Sequence, residues 1–434
     1  MDTAHNFVRM GALVAALLMA NNRGLAGAFT LNEQNAAGIG SAFSETALAS
    51  SPATVFYNPA GMTYLGGSFA TSSVNVICMH GGFENQGSQY QSGASIGGGN
   101  GGNPGKPTPV PSFFYTRPLG AKAAWGVGVF APFGLATTWD SNWVGRYHGI
   151  ASELKTLNLN PSFAYRVNKQ LSLGAGCSLQ WSEATLKNAI DFGLIGYANA
   201  IPSFFPGSHD AVARVRGDDL SGGWNLGLMW DVSPQTRIGV AYRSKIANRL
   251  EGNVQFSNVP AAFAPIFHDQ GTSVAFDLPE TLSIHFAHFI NERWSITGDF
   301  TRTSWSIVKN IEVKFKDPST PMNSIPQNWR DSVMVGCGLQ YRKGNTTWKI
   351  GGAYDQSPVY KAHLRLPLIP DSDKVWATVG FERRVSDRLR LSAGYAHFFM
   401  KSGATSFVDA QTHVLRGHFN LAVEILAVEA SWGF

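Results

Sequence analysis

Residues able to do bond-making chemistry are present in this chain but not in workable arrangements. His285 and His288 stand three apart in a stretch that reads as a strand, so their rings point to opposite faces and do not share a metal ion. Gly105-Lys106 has the ending of a phosphate-binding loop, but Asn100 occupies the place of its first glycine and Pro107 that of the metal-holding Ser or Thr. The other histidines are scattered, and no local pattern of Ser, His and a polar orienter suggests a hydrolase. No catalytic residue, metal or cofactor is assigned. What stands out is apolar surface where connections belong. Residues 187–216 carry Leu194, Ile195, Ile201, Phe204 and Phe205, and residues 251–273 carry Phe263, Ile266 and Phe267. Apolar loops of this size mark a binding site. Burial gains roughly 0.8 kcal/mol per methylene, so about ten methylenes give on the order of 8 kcal/mol, micromolar affinity before ordering costs.

The elements that must present these loops are strands. Leu171, Leu173, Ala175, Cys177, Leu179 and Trp181 alternate with Ser172, Gly174, Gly176, Ser178, Gln180 and Ser182, a period of two that puts each set on its own face. Leu220, Trp224, Leu226, Leu228 and Trp230 oppose Ser221, Asn225, Gly227 and Asp231 in the same way. Alternation alone fits a soluble sandwich or a membrane barrel. The connections separate the two. Tight turns at 167–169, 233–235, 291–293, 343–345 and 386–388 alternate with long loops, the asymmetry of an outer-membrane barrel. Strands are expected at 66–82, 109–117, 121–131, 153–166, 170–186, 218–231, 235–250, 274–290, 293–306, 331–342, 346–355, 374–385, 388–400 and 416–434, about fourteen in all. Leu426, Val428, Ala430, Trp432 and Phe434 share a face at the end of the chain. Phe434 resembles the terminal aromatic through which barrel assembly machinery recognises such proteins.

Composition agrees. No run of about 18 apolar residues follows residue 26, which excludes a helical membrane protein. A 15% charged content with 47 Gly and 12% aromatics suits strands and turns. Arg9, the apolar run from Met10 to Ala20 and the small residues to Ala26 lay out a signal peptide over 1–26, with the mature chain starting near Gly27. Cys78, Cys177 and Cys337 are too few and too dispersed for a disulfide framework. The net charge of +5 is spread without basic runs and gives no support to nucleic-acid binding. Residues 27–65 lack sustained alternation and contain the turn Asn58-Pro59-Ala60-Gly61; they form either a periplasmic extension or a plug within the lumen. Residues 66–434 form the barrel, in which 84–108 is a Gly, Ser, Asn and Pro-rich loop.

Several stretches resemble the FadL family of outer-membrane transporters of long-chain fatty acids and other hydrophobic compounds. They are Phe29-Thr30-Leu31-Asn32-Glu33-Gln34, Asn58-Pro59-Ala60-Gly61-Met62, Ala131-Pro132-Phe133-Gly134-Leu135, Asn142-Trp143-Val144-Gly145-Arg146-Tyr147, Tyr354-Asp355-Gln356-Ser357-Pro358-Val359 and Pro370-Asp371-Ser372-Asp373-Lys374. The resemblance implies a monomeric transmembrane antiparallel barrel in the outer membrane, with an N-terminal hatch bearing Asn58, Pro59 and Ala60. It also implies capture at the apolar loops, an inner pocket around Gly27, Ala28 and Phe29, and a kinked third strand that releases ligand sideways into outer-membrane lipid. By order that strand is 121–131, where Gly126 and Gly128 are the expected kink. A fatty carboxylate favours a cation in the lumen, for which Arg146, Arg243 and Arg330 are candidates. Three other readings stay open: a channel for aromatic hydrocarbons within the same family, a barrel lipid hydrolase, and a general porin with a charge-lined lumen.

Overall fold

The computed structural model describes residues 28–434; the expected signal peptide and Gly27 lie outside them. Every strand run joins one closed antiparallel sheet of fourteen wall strands. Some wall strands are interrupted. Thr236–Arg243 and Arg249–Ser257 both pair with the long strand Asp210–Ser233, so together they make the seventh. The first strand, Phe69–Asn85, closes the circle by pairing with Thr108–Leu119 on one side and with the last strand, Val414–Gly433, on the other.

The alternation has the physical cause the sequence suggests. On Leu171–Asp191 the side chains of Leu173 and Leu179 face outward and are exposed, while Ser172 and Gln180 face inward and are buried. Leu426, Val428, Trp432 and Phe434 are likewise exposed on the outside of the last strand. A barrel with its apolar residues outside is built for lipid. Tyr165, Trp230, Trp294 and Trp348, all exposed, sit close to short turns and give one rim an aromatic girdle. No described helix is long and apolar enough to cross a membrane.

At the opposite rim the wall runs higher than alternation shows. Leu171–Asp191 and Asp210–Ser233 stay paired to Asp191↔Asp210, so the connection shrinks to 192–209 and carries a helix, Phe192–Ala198. The 84–108 stretch is tied down as well, with bridges from Gln89 to Val414 and from Gly99 to Trp143.

Residues 28–65 occupy the lumen as short helical turns. Ala36 N–H donates to Ser73 Oγ (3.0 Å), Ser44 Oγ meets Thr297 Oγ1 (2.7 Å), Thr378 Oγ1 donates to Gly40 O (3.2 Å) and Arg237 donates to the Ala47 and Leu48 carbonyls. These partners come from strands all round the wall. Asn58 caps the turn Pro59–Tyr64 by accepting from Ala60 N, with Pro59 at the first helical position where a missing N–H costs nothing. The turn lies so near the wall that a Cβ on Gly227 would stand 2.2 Å from Asn58 Oδ1.

Candidate functional site

At the high rim the expected capture residues divide. Phe204, Phe263 and Phe267 pack on one another and on Phe192, with Phe192 and Phe263 stacked at 4.8 Å. Leu194, Ile195 and Ile201 are half-buried, whereas Phe205, Tyr197 and Ile266 face water. The loops therefore form a packed apolar base with exposed aromatic and aliphatic tips.

A clasp beside them was not legible in the sequence. His413 is fully buried, with Nδ1 2.8 Å from Asp409 Oδ2, Nε2 3.3 Å from Asp191 Oδ2 and the Tyr147 ring stacked on it at 4.1 Å. Asp191 also accepts from Leu194 N and Gly207 N, so the imidazole ties the 192–209 loop to the 409–413 turn. Burial pushes the imidazole pKa down, but the bonds to Asp191 and Asp409 outweigh it and hold it above the ordinary histidine value. A raised pKa means that the clasp stabilises fully below the ordinary value and is lost as pH rises through the raised one. Proteolytic cleavage within 192–209 is expected to accelerate in alkaline solution, and a His413→Gln chain to be cleaved fast at every pH. Cleavage of the unsubstituted chain that ignores pH removes the clasp from the account.

Deeper in, Ala28 and Phe29 are buried in an aromatic cage. The Phe29 ring lies 4.4 Å from Trp305, 5.5 Å from Phe276, 5.7 Å from Trp329 and 6.3 Å from Phe133. The segment that carries it is stitched to the third wall strand: Leu31 N donates to Pro132 O, Gly134 N to Phe29 O and Gln34 Nε2 to Ala131 O.

Those three bonds mark where the wall is broken, and the break is not at the expected glycines. The ladder runs through Gly126 and Gly128 without interruption, pairing Gly126 with Thr116 and Ser162, and Gly128 with Phe114 and Asn160. Gly126 is small because the inner segment presses on it; a Cβ there would stand 2.8 Å from Met62 Sδ and 2.9 Å from Val55 Cγ2. The interruption falls between Ala123–Phe130 and Gly134–Thr138, at Pro132, whose missing N–H prevents a ladder from continuing. Beyond it, among the described residues, Gly134–Thr138 forms a ladder only with the fourth strand and Thr108–Ser112 of the second only with the first, until Thr138 N donates to Pro104 O ahead of the second strand. The wall is thus unpaired between the second and third strands.

The three candidate arginines also separate. Arg146 bonds Asp210 at 2.7 Å and the carbonyls of Gly97 and Trp143. Arg330 stands 3.7 Å from Asp373 and bonds Ser357 O. Arg243 points inward, donates to Phe56 O and lies over the Phe56 ring at 4.8 Å, with no ion pair among the described residues. His285 and His288 do face opposite ways, toward Asp299 inside and toward Thr236. A buried pair the sequence did not suggest, Lys349 and Glu45 at 2.8 Å, joins wall to inner segment.

Known proteins share this fold. The sequence profile of the outer membrane protein transport protein family (OMPP1/FadL/TodX) matches residues 17–434. The long-chain fatty acid transport protein of Escherichia coli O6:H1 is 26% identical over 407 residues, which cover 89% of this chain and 90% of that protein. Outer membrane protein P1 of Haemophilus influenzae is 26% identical over 435 residues, covering 92% and 91%. The crystal structure of a Pseudomonas aeruginosa FadL homologue superposes with a TM-score of 0.87 at 25% identity, covering 94% of this chain and all of that one. The Pseudomonas putida toluene transporter TodX shares the fold, with a TM-score of 0.68 at 21% identity over 88% of this chain and 94% of its own. With a profile match that runs through the whole barrel, the chain belongs to the FadL/TodX family of outer-membrane transport proteins.

Proposed function

We propose that the protein takes up long-chain fatty acids or kindred hydrophobic molecules across the outer membrane. Apolar loop tips at Phe205 and Ile266 collect the molecule, and the cage around Phe29 is its inner station. Residues 28–65, with the Asn58-Pro59-Ala60 turn, act as a hatch. Release is lateral, between the second and third strands. The observation that carries this reading is the stitched break: the wall lacks a ladder beside Pro132, and the backbone bonds that cover it come from the same segment that carries Phe29. A ligand that displaces Phe29 thereby loosens the cover of the opening. The deciding experiment is growth on oleate, and separately on toluene, of a strain that lacks and then regains the protein. Restoration by neither substrate overturns the reading.

Capture has its own test. Phe205→Asp combined with Ile266→Asp changes exposed tips and spares the packed base. Each charge opposes burial of an acyl chain, so uptake should fall roughly tenfold or more at low ligand concentration and recover at high concentration. Equal loss at all concentrations places the defect elsewhere.

A further inference from the structure

Four aromatic side chains stand in one unbroken row across the outer face of the wall, and two cations stand one step beyond them. On the ninth to twelfth strands Trp294 is directly opposite Tyr341, Tyr341 opposite Trp348 and Trp348 opposite Phe381. The rings pack in pairs, Trp294 with Tyr341 at 4.5 Å between centroids and Trp348 with Phe381 at 5.9 Å. Two residues farther toward the short turns, the next row on the same face is Lys343, Thr346 and Arg383, again directly opposite one another. Alternation puts this row on the side of the exposed Ile350 and Val379, so both cations point toward lipid and not into the lumen. Both are exposed, and neither has an ion pair among the described residues. The short turns and the strand ends beside them lean the same way. They also expose Arg117, Lys122, Lys169 and Arg388, while the exposed side-chain carboxylates there, among the described residues, are Glu292 and Asp387.

Aromatic rows of this kind mark the edge of the hydrocarbon, and short turns mark its periplasmic side. Two residues along a tilted strand rise roughly 5 Å, about the thickness of the headgroup layer outside the core. Lys343 and Arg383 therefore lie at the depth of the lipid phosphates. Two strand spacings, roughly 10 Å, separate their backbones, a gap that two long side chains close on a single phosphate placed over Thr346. The guanidinium takes two phosphate oxygens and the ammonium adds a point charge. A protein partner would have to enter the bilayer to reach this face. A zwitterionic headgroup brings an ammonium of its own beside the two cations, whereas an anionic one leaves them unopposed. We propose that this face binds an anionic glycerophospholipid of the periplasmic leaflet. Lys343 and Arg383 hold its phosphate, and the row from Trp294 to Phe381 supports the glycerol and the first methylenes of its acyl chains.

The test offers the purified full chain, in nonionic detergent, equal amounts of dioleoyl phosphatidylglycerol and dioleoyl phosphatidylethanolamine, and counts the retained lipids by native mass spectrometry. The unsubstituted protein should retain the phosphatidylglycerol in preference by about tenfold. Lys343→Gln with Arg383→Gln should bring that ratio close to one. Lys122→Gln with Lys169→Gln removes the same charge from turns outside the aromatic row and should leave the ratio unchanged. All four positions are exposed, so heat-modifiable migration should stay normal and the barrels compared should be equally folded. Parity in the unsubstituted protein, a preference that survives the first pair of substitutions, or one that falls equally with the second pair overturns the site. None of these results bears on uptake, which stands or falls by its own test.

Discussion

Replacing Lys349 by Met should unseat the hatch while the barrel stays closed. Lys349 is buried on the inner face of the eleventh wall strand, and its Nζ reaches Glu45 Oε2 at 2.8 Å, Glu45 Oε1 at 3.1 Å and the Ala37 carbonyl at 2.9 Å. Glu45 also accepts from Gln340 Nε2 at 2.6 Å and Ser41 Oγ at 3.0 Å, so its carboxylate is held from both wall and hatch. Removing the lysine leaves a buried carboxylate without its cation. Breaking such a pair from one side costs about 3–5 kcal/mol, enough to shift the seated-to-unseated ratio by roughly two to four orders of magnitude. The wall does not depend on it, because the eleventh strand keeps its ladders with both neighbours. The expected phenotype is therefore a barrel with normal heat-modifiable migration that conducts small ions in planar bilayers. Adding Glu45→Gln removes the stranded charge, so the double variant should conduct less than the single one. A Lys349→Met barrel as silent as the unsubstituted protein would falsify the latch.

What the sequence made legible follows from where the bilayer acts. Within the apolar band each outward position needs a hydrophobic side chain, and all fourteen segments could be read from that constraint. Above it no lipid demands an apolar outward side chain, so Asp210–Gly217, whose Ala211 and Ala213 are buried against protein, pairs with Ala184–Asp191 and yet reads as loop. The kink was misplaced for a related reason. Glycine pairs in a strand signal either a bend or a close neighbour, and at Gly126 the neighbour, Met62, lies far away in sequence. Pro132 carried the truer signal, since its missing N–H bars a continuous ladder whatever surrounds it. The choice among the arginines was not available in any local pattern: Asp210 and Asp373, which engage Arg146 and Arg330, come from distant segments.

The lateral route can be switched by one bond. Thr30 and Phe133 are paired across an isolated antiparallel bridge, flanked by Leu31 N to Pro132 O and Gly134 N to Phe29 O. That flanking pattern makes them a non-hydrogen-bonded pair, whose Cα atoms stand roughly 4.5 Å apart, within the range that a disulfide spans. Cys78, Cys177 and Cys337 take no part in the path and are first replaced by Ser; Cys177 and Cys337 lie exposed on the outer face. In that background Thr30→Cys with Phe133→Cys, once oxidised, fixes the hatch terminus over the break in the wall. If release requires that terminus to leave Pro132, oxidised protein should bind ligand at the loops yet show uptake at background level, and a reductant should restore it to the level of Phe133→Cys alone. The loss is expected to be nearly complete, because a covalent tie removes the open state rather than shifting its population. Oxidised protein that transports as well as reduced protein would show that molecules leave the barrel without parting this seam, and the opening between the second and third strands would then be a feature of the fold with no share in transport.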